Sequence, residues 1–172
     1  MQKNFHEIDN NFNQHAFGTF HFGPLLLNSG RSRATMGLGN HGKLLLGKEL
    51  PPLDVFRASV KFGKYFKFYN YMMPLNNISV DNLAEAEFPK YLLAHRLSLD
   101  IPPYIRIAGS EMMIMNNYLK WNYLNPLIVY HNVTNADLVN VIISFDIEFV
   151  PYNNILGFIS IDVDEIYFYL VD

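Results

Sequence analysis

Carboxylates, guanidinium groups and aromatic rings recur in this chain at spacings that could bind a sugar or cleave one. Asp162 and Asp164 are two residues apart, which on a strand places both on one face about 6.6 to 7 Å apart, a separation that suits an inverting glycosidase pair. With Glu165 they could also hold a cation. Such spacing is common in acidic strands, and a solvated acidic wall is the reading adopted for them. Arg96 and Glu111 form a second candidate, because a guanidinium binds a carboxylate in a bidentate manner, whether that of Glu111 or that of an acidic sugar. A structural ion pair in a polar interior is the plainer account of the two. Trp121, Tyr123, Asn125, Tyr130 and His131 fall in one stretch and supply aromatic faces for sugar rings and polar groups for hydroxyls.

Several chemistries drop out on composition. The chain of 172 residues has no cysteine, which removes disulfides, thiolate metal sites and cysteine nucleophiles. Its six histidines are scattered, only His15 and His21 lying close, so no metal site is expected. Gly42-Lys43 is followed by Leu44 rather than Ser or Thr, so the glycine-rich stretch is not a phosphate loop, and no cofactor is expected. A net charge of −3, from 13 Lys plus Arg against 16 Asp plus Glu without a basic cluster, excludes a nucleic-acid footprint. Hydrophobic residues make up 50% of the chain, yet no run approaches the ~20 apolar residues of a membrane-spanning helix.

The elements that must position these groups are strands. In Leu138 to Val150 the residues Val139, Val141, Ile143, Phe145, Ile147 and Phe149 form one row, while Asn140, Ser144, Asp146 and Glu148 form the other, with Ile142 as its apolar exception. Asp54 to Phe62 repeats the alternation, Phe56, Ala58, Val60 and Phe62 opposing Arg57, Ser59 and Lys61. Lys90 to Asp100 does so again, with Arg96, Ser98 and Asp100 on the polar row. Lys64 to Met73, Tyr104 to Met115 and Ile155 to Glu165 read as strands of weaker alternation. Ala16 to Leu27 reads as one strand, and Gly37 to Pro52 as a glycine-rich loop.

Tight turns at Gly63, at Pro102-Pro103 and at Pro151 to Asn154 alternate with long links at Pro74 to Pro89 and Asn116 to Asp137. An up-and-down meander then gathers the short turns at one end and the long links at the other, the asymmetry of outer-membrane barrels. Strands of about ten residues, tilted about 40°, span roughly 25 Å, the height of such a barrel's apolar band. Aromatics near the turns (Phe62, Tyr65, Phe66, Tyr104, Phe149, Tyr152) suit an interfacial girdle. With Pro102 as the centre of its turn, Arg96 pairs near position 108, and Glu111 falls about three residues further on, facing away unless a bulge at Gly109 reverses it.

The stretch Met36-Gly37-Leu38-Gly39-Asn40-His41-Gly42-Lys43-Leu44-Leu45-Leu46-Gly47, followed by Leu50-Pro51-Pro52-Leu53-Asp54, resembles a signature of the capsule-assembly (Wzi-type) family. Tyr91 to Arg96, Ser110-Glu111, Tyr123-Leu124-Asn125-Pro126-Leu127 and Ile161-Asp162-Val163-Asp164 recur in the same order, so that the resemblance covers about Gly30 to Asp164. Members of that family are large outer-membrane barrels that bind capsular polysaccharide and help attach the capsule. This chain is much shorter, and Met1 to Gln14 lacks the basic start and apolar stretch of a secretory signal. A truncated or fragmentary member is the expectation.

The fold expected is therefore all-β, an antiparallel up-and-down meander forming part of an outer-membrane β-barrel, with residues 1–14 a polar segment and 15–172 a partial barrel domain. The function expected is non-catalytic binding or assembly of surface polysaccharide, with capsular polysaccharide and outer-membrane lipid as partners. Arg96, Glu111, Trp121, Tyr123, Asn125, Tyr130 and His131 are the candidate polysaccharide ligands. Arg57, Lys61, Asp146, Glu148 and Asp162 are expected to face the lumen. A channel-forming barrel, a soluble β-domain for a small ligand and a carbohydrate-cleaving enzyme are the alternatives.

Overall fold

Eight strands follow one another in chain order as a single antiparallel sheet. They are β1 (Ala16–Phe22), β2 (Leu25–Ser32), β3 (Leu53–Phe62), β4 (Phe66–Leu75), β5 (Lys90–Ile101), β6 (Ile105–Asn116), β7 (Val139–Tyr152) and β8 (Ile155–Asp164). This computed structural model describes residues 15–37, 45–47, 50–75, 89–116, 119–132, 139–152 and 155–164; the N-terminal polar segment, Asn153 and Glu165 lie outside them. The protein is all-β, an up-and-down meander whose only helical pieces among the described residues are two 3-10 turns, Trp121–Leu124 and Tyr130–Asn132. β1 and β8 end the sheet and do not pair with each other.

Ala16 to Leu27 is a hairpin, not one strand. Gly23 adopts φ 55° and Pro24 follows it, and the chain reverses there so that Phe22 pairs with Leu25. Three backbone bonds fasten this turn and the next two to neighbouring strands: Lys61 N–H donates to Pro24 O (3.1 Å), Asp100 N–H to Tyr65 O (2.9 Å) and Val150 N–H to Tyr104 O (2.9 Å). The described turns at Gly23, Gly63 and Pro102 therefore lie at one end, and the long links leave from the other.

Direct partners in an antiparallel ladder point the same way, so the register defines two faces. The arginine face carries Thr19, Asn28, Arg57, Tyr71 and Ala94 along one path through the partners, and Tyr69, Arg96, Ser110, Ser144 and Asp162 along the next. The phenylalanine face carries Phe20, Phe56, Phe66, Leu97, Phe145 and Ile161. In the half of the sheet near the turns, the polar row is the buried one: Asp146 is 0% exposed and Arg96 6%, while Phe145, next to Asp146 in the chain, is 47% exposed.

In the half near the long links, both faces are covered. The β2–β3 link folds onto the arginine face, where Met36 and Leu46 exchange backbone hydrogen bonds and pack with Ala34 and Leu45 on Tyr71, Met73, Leu92, Ala94 and Met112. The β6–β7 link folds onto the opposite face, seating Tyr123 and Tyr130 on Leu93, Met113, Met115 and Val141. These two clusters are the apolar core.

Candidate functional site

Two polar rows run across the arginine face. Nearer the turns, Lys67 Nζ meets Asp100 at 2.6 Å, Arg106 Nε meets the other oxygen of Asp100 at 3.0 Å, and Arg106 Nη1 reaches Glu148 at 3.4 Å, joining four strands. One layer further in, Arg96 Nη1 donates to Ser110 Oγ (2.7 Å) and to Asp146, whose second oxygen accepts from Ser160 Oγ. Arg57 continues that layer towards the other edge, donating through Nε (3.1 Å) and Nη2 (2.8 Å) to Asn28 Oδ1, and Asn28 Nδ2 donates to Thr19 Oγ1 (2.6 Å). Buried charges are tolerable because each is paired and hydrogen-bonded.

The five residues Arg57, Lys61, Asp146, Glu148 and Asp162 lie together on this face. Lys67, Asp100 and Arg106 belong with them; Asp100 shares the polar row of Arg96 and Ser98, whereas Lys67 falls outside the residues expected on this face. Lys67 sits on a strand of weak alternation, but its parity follows from Phe62 pairing with Phe66 across the Gly63 turn. A cavity of about 290 Å³ opens here, walled by Arg57, Lys67, Tyr69, Tyr71, Arg96 and Arg106 and bounded by Thr35 to Gly37 of the β2–β3 link.

Arg96 and Glu111 are not neighbours. The β5–β6 turn holds three residues, Pro102 to Tyr104, because Ile101 pairs with Ile105, so Arg96 pairs with Ser110 rather than near position 108. The ladder runs without a bulge through Gly109, and Glu111, opposite His95, points to the phenylalanine face. There Glu111 accepts the backbone N–H groups of Tyr130 and His131, each at 2.8 Å, and lies 3.2 Å from His95 Nε2. The His95 ring stands 4.8 Å from that of Tyr130 and 6.2 Å from that of Phe68. Burial, and then the nearby Glu111 carboxylate, push the Tyr130 hydroxyl up to about 12.

This latch changes what the aromatic stretch can do. Tyr130 is 1% exposed and Tyr123 is buried with it, so both rings are closed to a sugar, and Glu111 is committed to backbone N–H groups. Asn125 is exposed, its side-chain oxygen accepting the Leu127 N–H (3.1 Å) in its own turn. Trp121, 88% exposed, is the aromatic of this stretch that is free to stack. Asp162 lies opposite Ser144, with one buried carboxylate oxygen that has no partner among the described residues. No group of three metal-ligating side chains occurs among the described residues.

Fold and site together define an antiparallel meander with a charged, buried face and an apolar, exposed one. Neither a family model, a curated protein nor a solved structure matches the chain.

Proposed function

We propose that this chain is part of an outer-membrane β-barrel of the capsule-assembly kind, which binds polysaccharide at the cell surface without cleaving it. The observation that carries the reading is the inversion of the two rows near the turns. A soluble sandwich buries its apolar rows, whereas here Phe56, Phe62, Phe66, Leu97, Phe145, Ile159 and Ile161 are exposed while Arg96, Asp100 and Asp146 are buried. An apolar surface of that size on a sheet needs lipid or another apolar partner.

Strand length supports the same reading, since β3 to β8 hold between 10 and 14 residues and a membrane strand needs about 9 to 11. Exposed Phe62, Tyr65, Phe66, Tyr104, Phe149 and Tyr152 cluster near the turns, as an interfacial girdle does. An open channel fits less well, because the β2–β3 link occupies the arginine face on the side of the long links. Trp121 and Asn125, exposed on the β6–β7 link at that side, are the sugar contacts this reading retains.

The test uses the full chain. Phe145→Cys and Ile159→Cys are expected to be protected from an aqueous maleimide in membranes, and the wild-type protein is expected to require detergent. A monodisperse protein in plain buffer, with both cysteines labelled, sinks the bilayer reading. Polysaccharide binding unchanged by Trp121→Ala in protein that still inserts removes Trp121 from the sugar site.

A further inference from the structure

The cavity on the arginine face has walls whose charges are not balanced. Four cations, Arg57, Lys67, Arg96 and Arg106, line it, and Asp100 is the one carboxylate among its described lining residues. Asp146 and Glu148 stand just behind and pair with Arg96 and Arg106, yet even with both counted the cations outnumber the carboxylates by one. Arg57 is where the excess falls, since its partner Asn28 is an uncharged amide. Lys67 and Arg106 share the single negative charge of Asp100.

A second observation is independent of that count. Arg96 spends Nη1 on Ser110 and Asp146, while its Nη2 is buried and has no hydrogen-bond partner among the described residues. Buried nitrogen donors are nearly always paired, and an unpaired one on a cation is a strong demand for an acceptor. Arg96 is itself one of the walls of the cavity, and its Nη2, closed off from solvent, meets an anion there once the guanidinium turns.

We propose that this cavity is a binding site for a small oxyanion, a carboxylate or phosphate group, received chiefly by Arg57 and Arg96. Guanidinium groups present paired N–H donors that match the two oxygens of a carboxylate or phosphate, and Lys67 adds a point charge. At about 290 Å³ the cavity is at the lower end of ligand sites, so it takes a single acidic ring or a smaller anion rather than a chain. Thr35, Met36 and Gly37 bound it towards the long links, so the ligand enters from the side of the short turns. That places it away from Trp121, and every wall belongs to the sheet or the β2–β3 link. The inference therefore does not depend on the bilayer reading.

The experiment titrates the full chain, in detergent if it requires it, with inorganic phosphate, with glucuronate and with glucose, by calorimetry. Saturable binding of phosphate or glucuronate but not glucose is expected, the stronger of the two identifying a phosphorylated or an acidic-sugar source. Arg57→Gln is expected to weaken it about tenfold or more, the loss of one charge-assisted contact. Lys67→Met, which leaves Asp100 paired with Arg106, should weaken it in the same direction. Arg31→Gln is the control, removing the same charge from the opposite face, where Arg31 pairs with Asp54. Absence of saturable anion binding, equal binding of glucose, or equal weakening by Arg31→Gln overturns the proposal. A protein soluble without detergent that still binds phosphate through Arg57 would refute the bilayer reading alone.

Discussion

Glu111→Gln tests whether one carboxylate holds the β6–β7 link against the sheet. The carboxylate accepts two backbone N–H groups at 2.8 Å and faces His95 Nε2 at 3.2 Å. Glutamine has one acceptor oxygen, so at least one N–H loses its partner and meets an amide donor instead, and the bond that remains loses its charge. A hydrogen bond to a charged group contributes about 1.5 to 3 kcal/mol, and stranding a buried donor costs a similar amount, so a loss of about 3 kcal/mol is the working figure. At about 1.4 kcal/mol per decade, that is roughly a hundredfold in the opening equilibrium of the link. Hydrogen exchange reads it best at amides that never touch Glu111. Tyr123 N–H donates to Lys120 O (3.0 Å) and Ile128 N–H to Asn125 O (3.2 Å), and neither bond is altered locally by the substitution. Both should lose protection together while amides of β3 keep theirs. Loss confined to Tyr130 and His131 would show that Glu111 merely caps a turn and that the apolar contacts of Tyr123 and Tyr130 hold the link unaided.

Tyr130 supplies a pH prediction. Its hydroxyl ionises near 12 in the folded chain against 10.0 for an unperturbed tyrosine, so the native state holds the proton more tightly; the stabilisation is complete below about pH 10 and is lost as pH rises towards 12. Ultraviolet titration should show a late-ionising tyrosine component that shrinks by one residue in Tyr130→Phe. Asp146→Ala leaves the buried Arg96 without its counter-ion and should cost about 3 to 5 kcal/mol in denaturant unfolding, whereas loss of Ser160 Oγ in Ser160→Ala should cost much less. Gly30→Ala should unpair β1, because Gly30 sits at φ 136° and an added Cβ would stand 2.2 Å from Ala16 O; exchange of the β1 amides, with β5 unchanged, reads the result.

Strand identity was legible because alternation with period two survives any register, and parity alone placed Arg57, Lys61, Asp146, Glu148 and Asp162 on one face. Register was less so. A turn read as centred on Pro102 shifts every pairing in β5 and β6 by two residues relative to the turn that Ile101 and Ile105 close. That shift preserves faces and changes neighbours, which is why the side on which Glu111 lies followed from the sequence while its partners did not. The hairpin at Gly23-Pro24 carries an ordinary turn signal, masked by the apolar residues on both sides. Folding of the two links back onto the sheet left no periodic trace. Met36, Leu46, Tyr123 and Tyr130 are apolar groups in irregular chain, and nothing in such a pattern says which face they will cover.

Those links bear on how the sheet could meet lipid. On β5 the docked β6–β7 link covers Leu93, and the exposed part of the phenylalanine face begins at Leu97 and ends at Ile101. That stretch is roughly 13 Å along the strand, about half of the ~25 Å band of an outer-membrane barrel. Under the proposed bilayer reading, Leu127 and Val129, exposed on the link, would add apolar surface beyond that stretch. Docking by Glu111 would then add to the apolar surface at Leu127 and Val129 while it covers Leu93. On that reading Trp121, on the same link, would serve as an interfacial anchor, which is a different role from stacking on sugar. The two roles part in one substitution: an anchor lost in Trp121→Ala weakens insertion at unchanged polysaccharide affinity, whereas a lost sugar platform weakens affinity at unchanged insertion.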